Sequence, residues 1–115
     1  MSDRKPLFSV TRDDLEVETF RGSGAGGQNR NKRDTGVRIR HPASGAVGES
    51  CDERMQAQNK KTAFHRMIES RAFQSWVRVQ AAARFQGYRD AEAKVEEQMV
   101  AENLRVEFFD PEVPR

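Results

Sequence analysis

The sequence predicts an α+β fold. It reads as a small, mainly antiparallel sheet with one long glycine-rich loop, packed against a long helix and followed by a second, shorter helix and a closing strand. Three observations carry this prediction. In the first half of the chain apolar and polar residues alternate, the period of a half-buried strand. From residue 52 the apolar residues recur at helical spacing. Near the end, residues 104–109 alternate again.

The elements follow in order. Residues 1–14 form an N-terminal arm, within which LFSV (7–10) fits a short strand or an extended segment. DDLEVETF (13–20) puts Leu15 and Val17 on one face and Glu16 and Glu18 on the other. A glycine-rich loop then runs to Gly36. GVRIRH (36–41) turns Val37 and Ile39 inward and Arg38 and Arg40 outward. HPASG (41–45) gathers turn residues, and AVGES (46–50) returns as the hairpin partner. Asp52 suits a helix N-cap, with Glu53 in the first turn. Phe64, Met67, Ile68, Phe73, Trp76, Val79 and Ala83 fall near one broad stripe, a face for packing on the sheet. Gly87 marks the stop. DAEAKVEEQMVAEN (90–103) restarts an acidic helix with Val95 and Met99 inward, LRVEFF (104–109) closes as a strand, and Pro111 and Pro114 end the ordered structure. The expected organisation is therefore an arm (1–14), a central domain (15–89) and an acidic C-terminal helix, strand and tail (90–115).

Composition bounds the function. A chain of 115 residues suits one small domain. No apolar run approaches the ~20 residues that span a membrane, and the N-terminus lacks an apolar core of signal-peptide length. The expectation is a soluble, cytoplasmic chain, monomeric on its own. One cysteine, Cys51, excludes an internal disulfide, and its distance in sequence from His41 and His65 leaves no zinc-site spacing. It reads as an ordinary buried or half-buried thiol. No metal or cofactor is expected. Charge is unevenly placed: residues 1–89 carry 17 basic and 10 acidic side chains, while residues 90–115 carry 3 and 8. Such a local basic excess suits nucleic acid, although for a charge run alone a solvated charged face is the better reading.

The stretch RGSGAGGQNRNKR (21–33) decides between these readings. Gly22, Gly24 and Gly27 satisfy the G-x-G-x-x-G fingerprint of dinucleotide sites, which also requires the last glycine to open a packed crossover helix. The following QNRNKRDTG is polar throughout and has no apolar period, so that reading fails. A P-loop fails as well, because Gln28 and Asn29 stand where Lys and Ser or Thr are needed. A flexible linker explains the glycines but not the basic run directly after them.

FRGSGAGGQNRNKRDTGVRIRHPASGAVGESCDERMQAQNKKTA resembles the GGQ domain of class I peptide-chain release factors over residues 15–63. Gly26-Gly27-Gln28 sits in the family's Ser-Gly-Ala-Gly-Gly-Gln context. Arg54, Gln56, Asn59, Lys60 and Ala63 match a second signature at the start of the helix. The resemblance implies hydrolysis of the ester joining peptide to tRNA in the ribosome's peptidyl-transferase centre. Gly26, Gly27 and Gln28 would be the catalytic tip. Glycine suits a narrow RNA pocket, because side chains would block the backbone's approach. The Gln28 N–H would donate to transition-state charge, an interaction typically worth roughly 2.7–4 kcal/mol, and the Gln28 side chain would place the water. Arg21, Asn29, Arg30, Lys32, Arg33, Arg38, Arg40, Arg54 and Lys60 would bind ribosomal RNA, holding phosphates without reading sequence. Lys61 and Arg66 could extend that surface.

The chain departs from the family in three ways. Fourteen residues precede Leu15, too few for a codon-reading domain, so the expectation is a stand-alone factor that rescues stalled ribosomes without stop-codon recognition. The best-known bacterial rescue factor of this type carries a long basic C-terminal tail, whereas this chain ends acidic. Relatives usually have His-Val after Gly-Gly-Gln, where this sequence has Asn29-Arg30. The expected partners are the large ribosomal subunit and peptidyl-tRNA, with a protein partner on the acidic segment as a further option. The alternatives are a non-catalytic ribosome-binding module, or an adaptor working through its acidic C-terminal helix.

Overall fold

A computed structural model describes residues 6–21, 35–84, 92–95 and 103–109. The fold is α+β, built from two three-stranded antiparallel sheets and two helices. The strands are β1 (Phe8–Val10), β2 (Glu16–Phe20), β3 (Gly36–His41), β4 (Ala46–Ser50), β5 (Glu92–Val95) and β6 (Val106–Phe109), and the helices are α1 (Gln56–Glu69) and α2 (Arg71–Arg84). One sheet has the order β2-β3-β4 and the other β1-β6-β5.

Alternation builds the first sheet as the sequence predicts. Val37 and Ile39 are fully buried beneath α1, while Arg40 is exposed and Arg38 half-buried. The register aligns Glu16 with Arg40, Glu18 with Arg38, and Arg38 with Glu49. Opposite charges therefore face each other across strands on the outer face, the favourable cross-strand arrangement. Gly45, at φ +80°, completes the turn between β3 and β4.

The helical region differs from the expectation in three respects. The first helical residue is Gln56 rather than one beside Asp52, and Met55 stands at its N-cap without a side-chain hydrogen bond. The expected single long helix breaks at Ser70, whose extended backbone (φ −69°, ψ 153°) ends α1. The Ser70 hydroxyl donates to the Met67 carbonyl at 2.7 Å and accepts the Phe73 N–H at 3.3 Å, so one side chain closes α1 and caps α2. The break resets the helical phase. Phe73, Val77 and Ala81 turn inward, whereas Val79 is 62% exposed and Ala83 lies at the surface. Gly87 lies outside the described residues.

The acidic segment also departs from the expected helix over 90–103: Glu92–Val95 forms β5, paired with β6. Its Ala, Glu and Lys favour helix, but intrinsic propensity is a weak prior that tertiary pairing overrides. Residues 96–102 lie outside the described residues. β6 is the expected closing strand. It lies between β1 and β5, and Val106 and Phe108 are buried with Leu104 in one core that also takes Val10, Ile39, Phe64, Met67 and Phe73. Phe8 stacks on Phe108 with centroids 4.7 Å apart and meets Trp76 edge-on at 5.8 Å. These contacts join the second sheet to α2. Among the described residues no helix is long and apolar enough to cross a membrane.

Candidate functional site

The glycine-rich stretch begins and ends at a defined neck. Phe20, the last residue of β2, and Gly36, the first of β3, are register partners. The Phe20 ring covers Gly36 so closely that a β-carbon there would lie 2.7 Å from the ring edge and 2.9 Å from the Phe20 carbonyl oxygen. The Arg38 guanidinium sits 5.0 Å from the centre of the same ring, at cation–π distance.

Beside the neck lies a buried amide that ties three elements together. Asn59, in the first turn of α1, is fully buried. Its Nδ2 donates to the Thr35 carbonyl at 2.6 Å and to the Glu53 carbonyl at 3.1 Å. Its Oδ1 accepts the Ser50 hydroxyl at 2.9 Å and the Glu53 N–H at 3.0 Å. Two carbonyls on one side and a backbone N–H on the other fix which way the amide faces, and both donors and both acceptor positions are used. Removing it would strand buried polar groups at roughly 1–3 kcal/mol each. The sequence places Asn59 in the second signature without marking it as buried. A usable signal is the spacing 59, 63, 67: Asn59 extends the stripe of Ala63 and Met67 by one turn.

Of the RNA-binding candidates, Arg21 is exposed at the end of β2, Arg54 is exposed just before α1, and Lys60 is half-buried next to Asn59. Asn59, through Thr35 and Glu53, ties the helix start that carries Arg54 and Lys60 to the residue just before β3. Arg38 and Arg40 lie on the sheet face away from α1. Arg38 donates to Glu49 at 2.7 Å and Glu18 at 3.4 Å, and Arg40 pairs with Glu16 at 3.6 Å and Glu18 at 3.7 Å. The hydrogen bond to Glu49, then its charge, raises the Arg38 pKa further, so Arg38 stays cationic. Arg66 donates to the Glu49 carbonyl at 2.8 Å and to Asp52 at 2.9 Å, which holds α1 to the end of β4. Gly26, Gly27, Gln28, Asn29, Arg30, Lys32 and Arg33 lie outside the described residues. Cys51 is half-buried, and among the described residues no cluster of His, Cys, Asp and Glu could hold a metal ion.

The far end of the same sheet holds a cleft of about 380 Å³ whose lining includes Phe8, Asp14, His41, Trp76 and Arg84. His41 is buried, shares a 2.7 Å hydrogen bond between Nδ1 and the Ser44 hydroxyl oxygen, and packs edge-on against Phe73 and Trp76. Burial pushes its pKa below the ordinary histidine value, partly offset by the Asp14 charge.

An α+β domain whose basic, glycine-rich connection is necked by Phe20 and Gly36 and clamped to a helix start by Asn59 fits the release-factor class anticipated from the sequence. The RF-1 domain model matches residues 3–113, and the chain belongs to that family. Peptide chain release factor 1 of Buchnera aphidicola subsp. Baizongia pistaciae is 46% identical over 65 residues, covering 56% of this chain and 18% of that protein. Peptide chain release factor 2 of Staphylococcus aureus is 42% identical over 74 residues, covering 64% and 20%. Peptide chain release factor 1 of Dictyoglomus thermophilum is 46% identical over 65 residues, covering 56% and 17%. The matched segment spans about a fifth of the length of these relatives.

Proposed function

We propose that this chain is a ribosome-dependent peptidyl-tRNA hydrolase. Water attacks the ester carbonyl carbon, the bond to the tRNA ribose oxygen breaks, and the peptide leaves with a free carboxyl group. Gly26 and Gly27 bring slim backbone to the ester. The Gln28 N–H stabilises the developing oxyanion, and the Gln28 side chain orients the water and excludes larger nucleophiles. Arg21, Asn29, Arg30, Lys32, Arg33, Arg54 and Lys60 grip ribosomal RNA, and Arg38 and Arg40 join them by exchanging their carboxylate partners for phosphates. Surface ion pairs are individually weak enough for such an exchange.

The observation that carries the reading is Gly26-Gly27-Gln28 itself, set in the family's context inside a domain match that covers residues 3–113. Within this reading the chain acts without stop-codon recognition, as in the rescue of stalled ribosomes. The acidic-helix adaptor loses ground, since β5 and β6 occupy part of that segment and β6 belongs to the core.

The test is peptide release from purified ribosomes with an empty A site. It compares mRNA ending at the P site, a sense codon and a stop codon, with Gln28→Ala beside wild type. Release by wild type in all three settings, lost in Gln28→Ala, is the expected result. Ribosome binding without release would favour the non-catalytic module. Release confined to the stop codon would overturn the codon-independent part.

A further inference from the structure

We propose that Asn59 is a positioning residue for hydrolysis, which rests on the function proposed above. Thr35 is the last residue before β3, and its carbonyl belongs to the first peptide plane after the glycine-bearing segment. Asn59 Nδ2 holds that oxygen at 2.6 Å, the shorter of its two donor contacts. The same amide holds Glu53, next to Arg54, through both its N–H and its C=O, and the hydroxyl of Ser50 at the end of β4. The residue after Asn59 is Lys60. One buried side chain therefore sets the distance between the root of the segment that carries Gln28 and the helix start that carries Arg54 and Lys60. If those cations fix the domain on RNA, Asn59 converts a grip on phosphates into a defined position for the reacting backbone. Effective orientation is sensitive to such linkages: a misplacement of about 1 Å can cost on the order of 10²-fold in rate.

The partners dictate informative variants. Asn59→Asp keeps both acceptor bonds but turns a carboxylate oxygen toward the Thr35 and Glu53 carbonyls. Asn59→Ser removes the reach to Thr35 without burying a charge. Ser50→Ala removes one bond to the amide yet leaves its contact with Thr35.

The experiment measures release kinetics on ribosomes with an empty A site, alongside thermal melting of each variant and hydrogen exchange at the Thr35 and Gly36 amides. The expected result for Asn59→Asp and Asn59→Ser is a kcat lowered by up to about 10²-fold. The half-saturating concentration should stay unchanged, with protein still folded at the assay temperature and faster exchange at Gly36. Ser50→Ala should keep kcat near wild type. For Asn59→Asp the rate relative to wild type should rise as pH falls, because a protonated carboxyl regains a donor. Should Asn59→Asp fail to fold, Asn59→Ser decides. Wild-type kcat in either folded variant overturns the inference, and so do losses that merely follow the unfolded fraction in all three. A wild type that releases no peptide overturns the proposed function together with this inference. A wild type and an Asn59→Ser variant that release equally well overturn the inference alone.

Discussion

Gly48 of β4 lies against the backbone of Ala63 in α1. A β-carbon at Gly48 would overlap the Ala63 carbonyl oxygen and stand 2.5 Å from the Met67 nitrogen. Both atoms are backbone, so relief requires the helix to move off the sheet. Gly48→Ala should lower the unfolding free energy by roughly 1–3 kcal/mol or more, as overpacking does. The readout is a lower urea midpoint with an unchanged slope. A midpoint at or above wild type would contradict the seating of α1 on β4.

Ser70 separates two helices with one hydroxyl. Ser70→Ala removes both the donor to Met67 and the acceptor for Phe73, and loss of such a cap costs about 0.5–2 kcal/mol. Ser70→Gly should cost less. Circular dichroism during urea titration checks both, and equal midpoints for Ser70→Ala and wild type would remove the cap from the account.

Phe108 is 1% exposed within the core and stacks on Phe8. Phe108→Ala should cost about 3–5 kcal/mol, the usual range for a buried phenylalanine. Deleting residues 90–115 should go further and prevent cooperative folding, since it removes Leu104, Val106 and Phe108 together. A truncated protein with a sharp melting transition would show that the first sheet and helices suffice.

His41 makes stability depend on pH. Its folded pKa lies below the unfolded value of about 6.5. The unfolded chain therefore takes up the proton first as pH falls. The full contribution is present above about pH 6.5 and declines below it until the folded pKa is passed. Urea midpoints followed from about pH 8 down to about pH 5.5 should fall in wild type and fall less in His41→Gln. Parallel curves would refute this role.

Arg54 and Arg40 should differ as RNA contacts. Arg40 already has Glu16 and Glu18 within 3.7 Å, so phosphate must displace them. Arg54→Gln is expected to weaken ribosome binding and reduce the slope of log affinity against log salt by about one, the effect of one lost phosphate contact. Arg40→Gln should change the slope less. Equal slopes for both variants would place them in the same role.

Much of the fold was legible because the first sheet uses strict alternation: Val37 and Ile39 had to face one way and Arg38 and Arg40 the other. The break at Ser70 was not legible, because it needs neither glycine nor proline. A serine in a helical run looks neutral until its hydroxyl is seen bonding on both sides. β5 was hidden by helix-forming residues whose pairing with β6 depends on chain far from them in sequence. At the proposed site, the glycines and Gln28 stand out in the sequence by type and spacing. Asn59 does not, because its importance comes from Ser50, Thr35 and Glu53, which only folding brings together.

β1 and β6 run side by side, and the Leu7 N–H donates to the Phe108 carbonyl at 2.6 Å. The first and last of the described strands are therefore neighbours. A body threaded in this way behaves as a cassette: it can be spliced between two points of a host chain, or permuted at an exposed turn such as 42–45, without prying its ends apart.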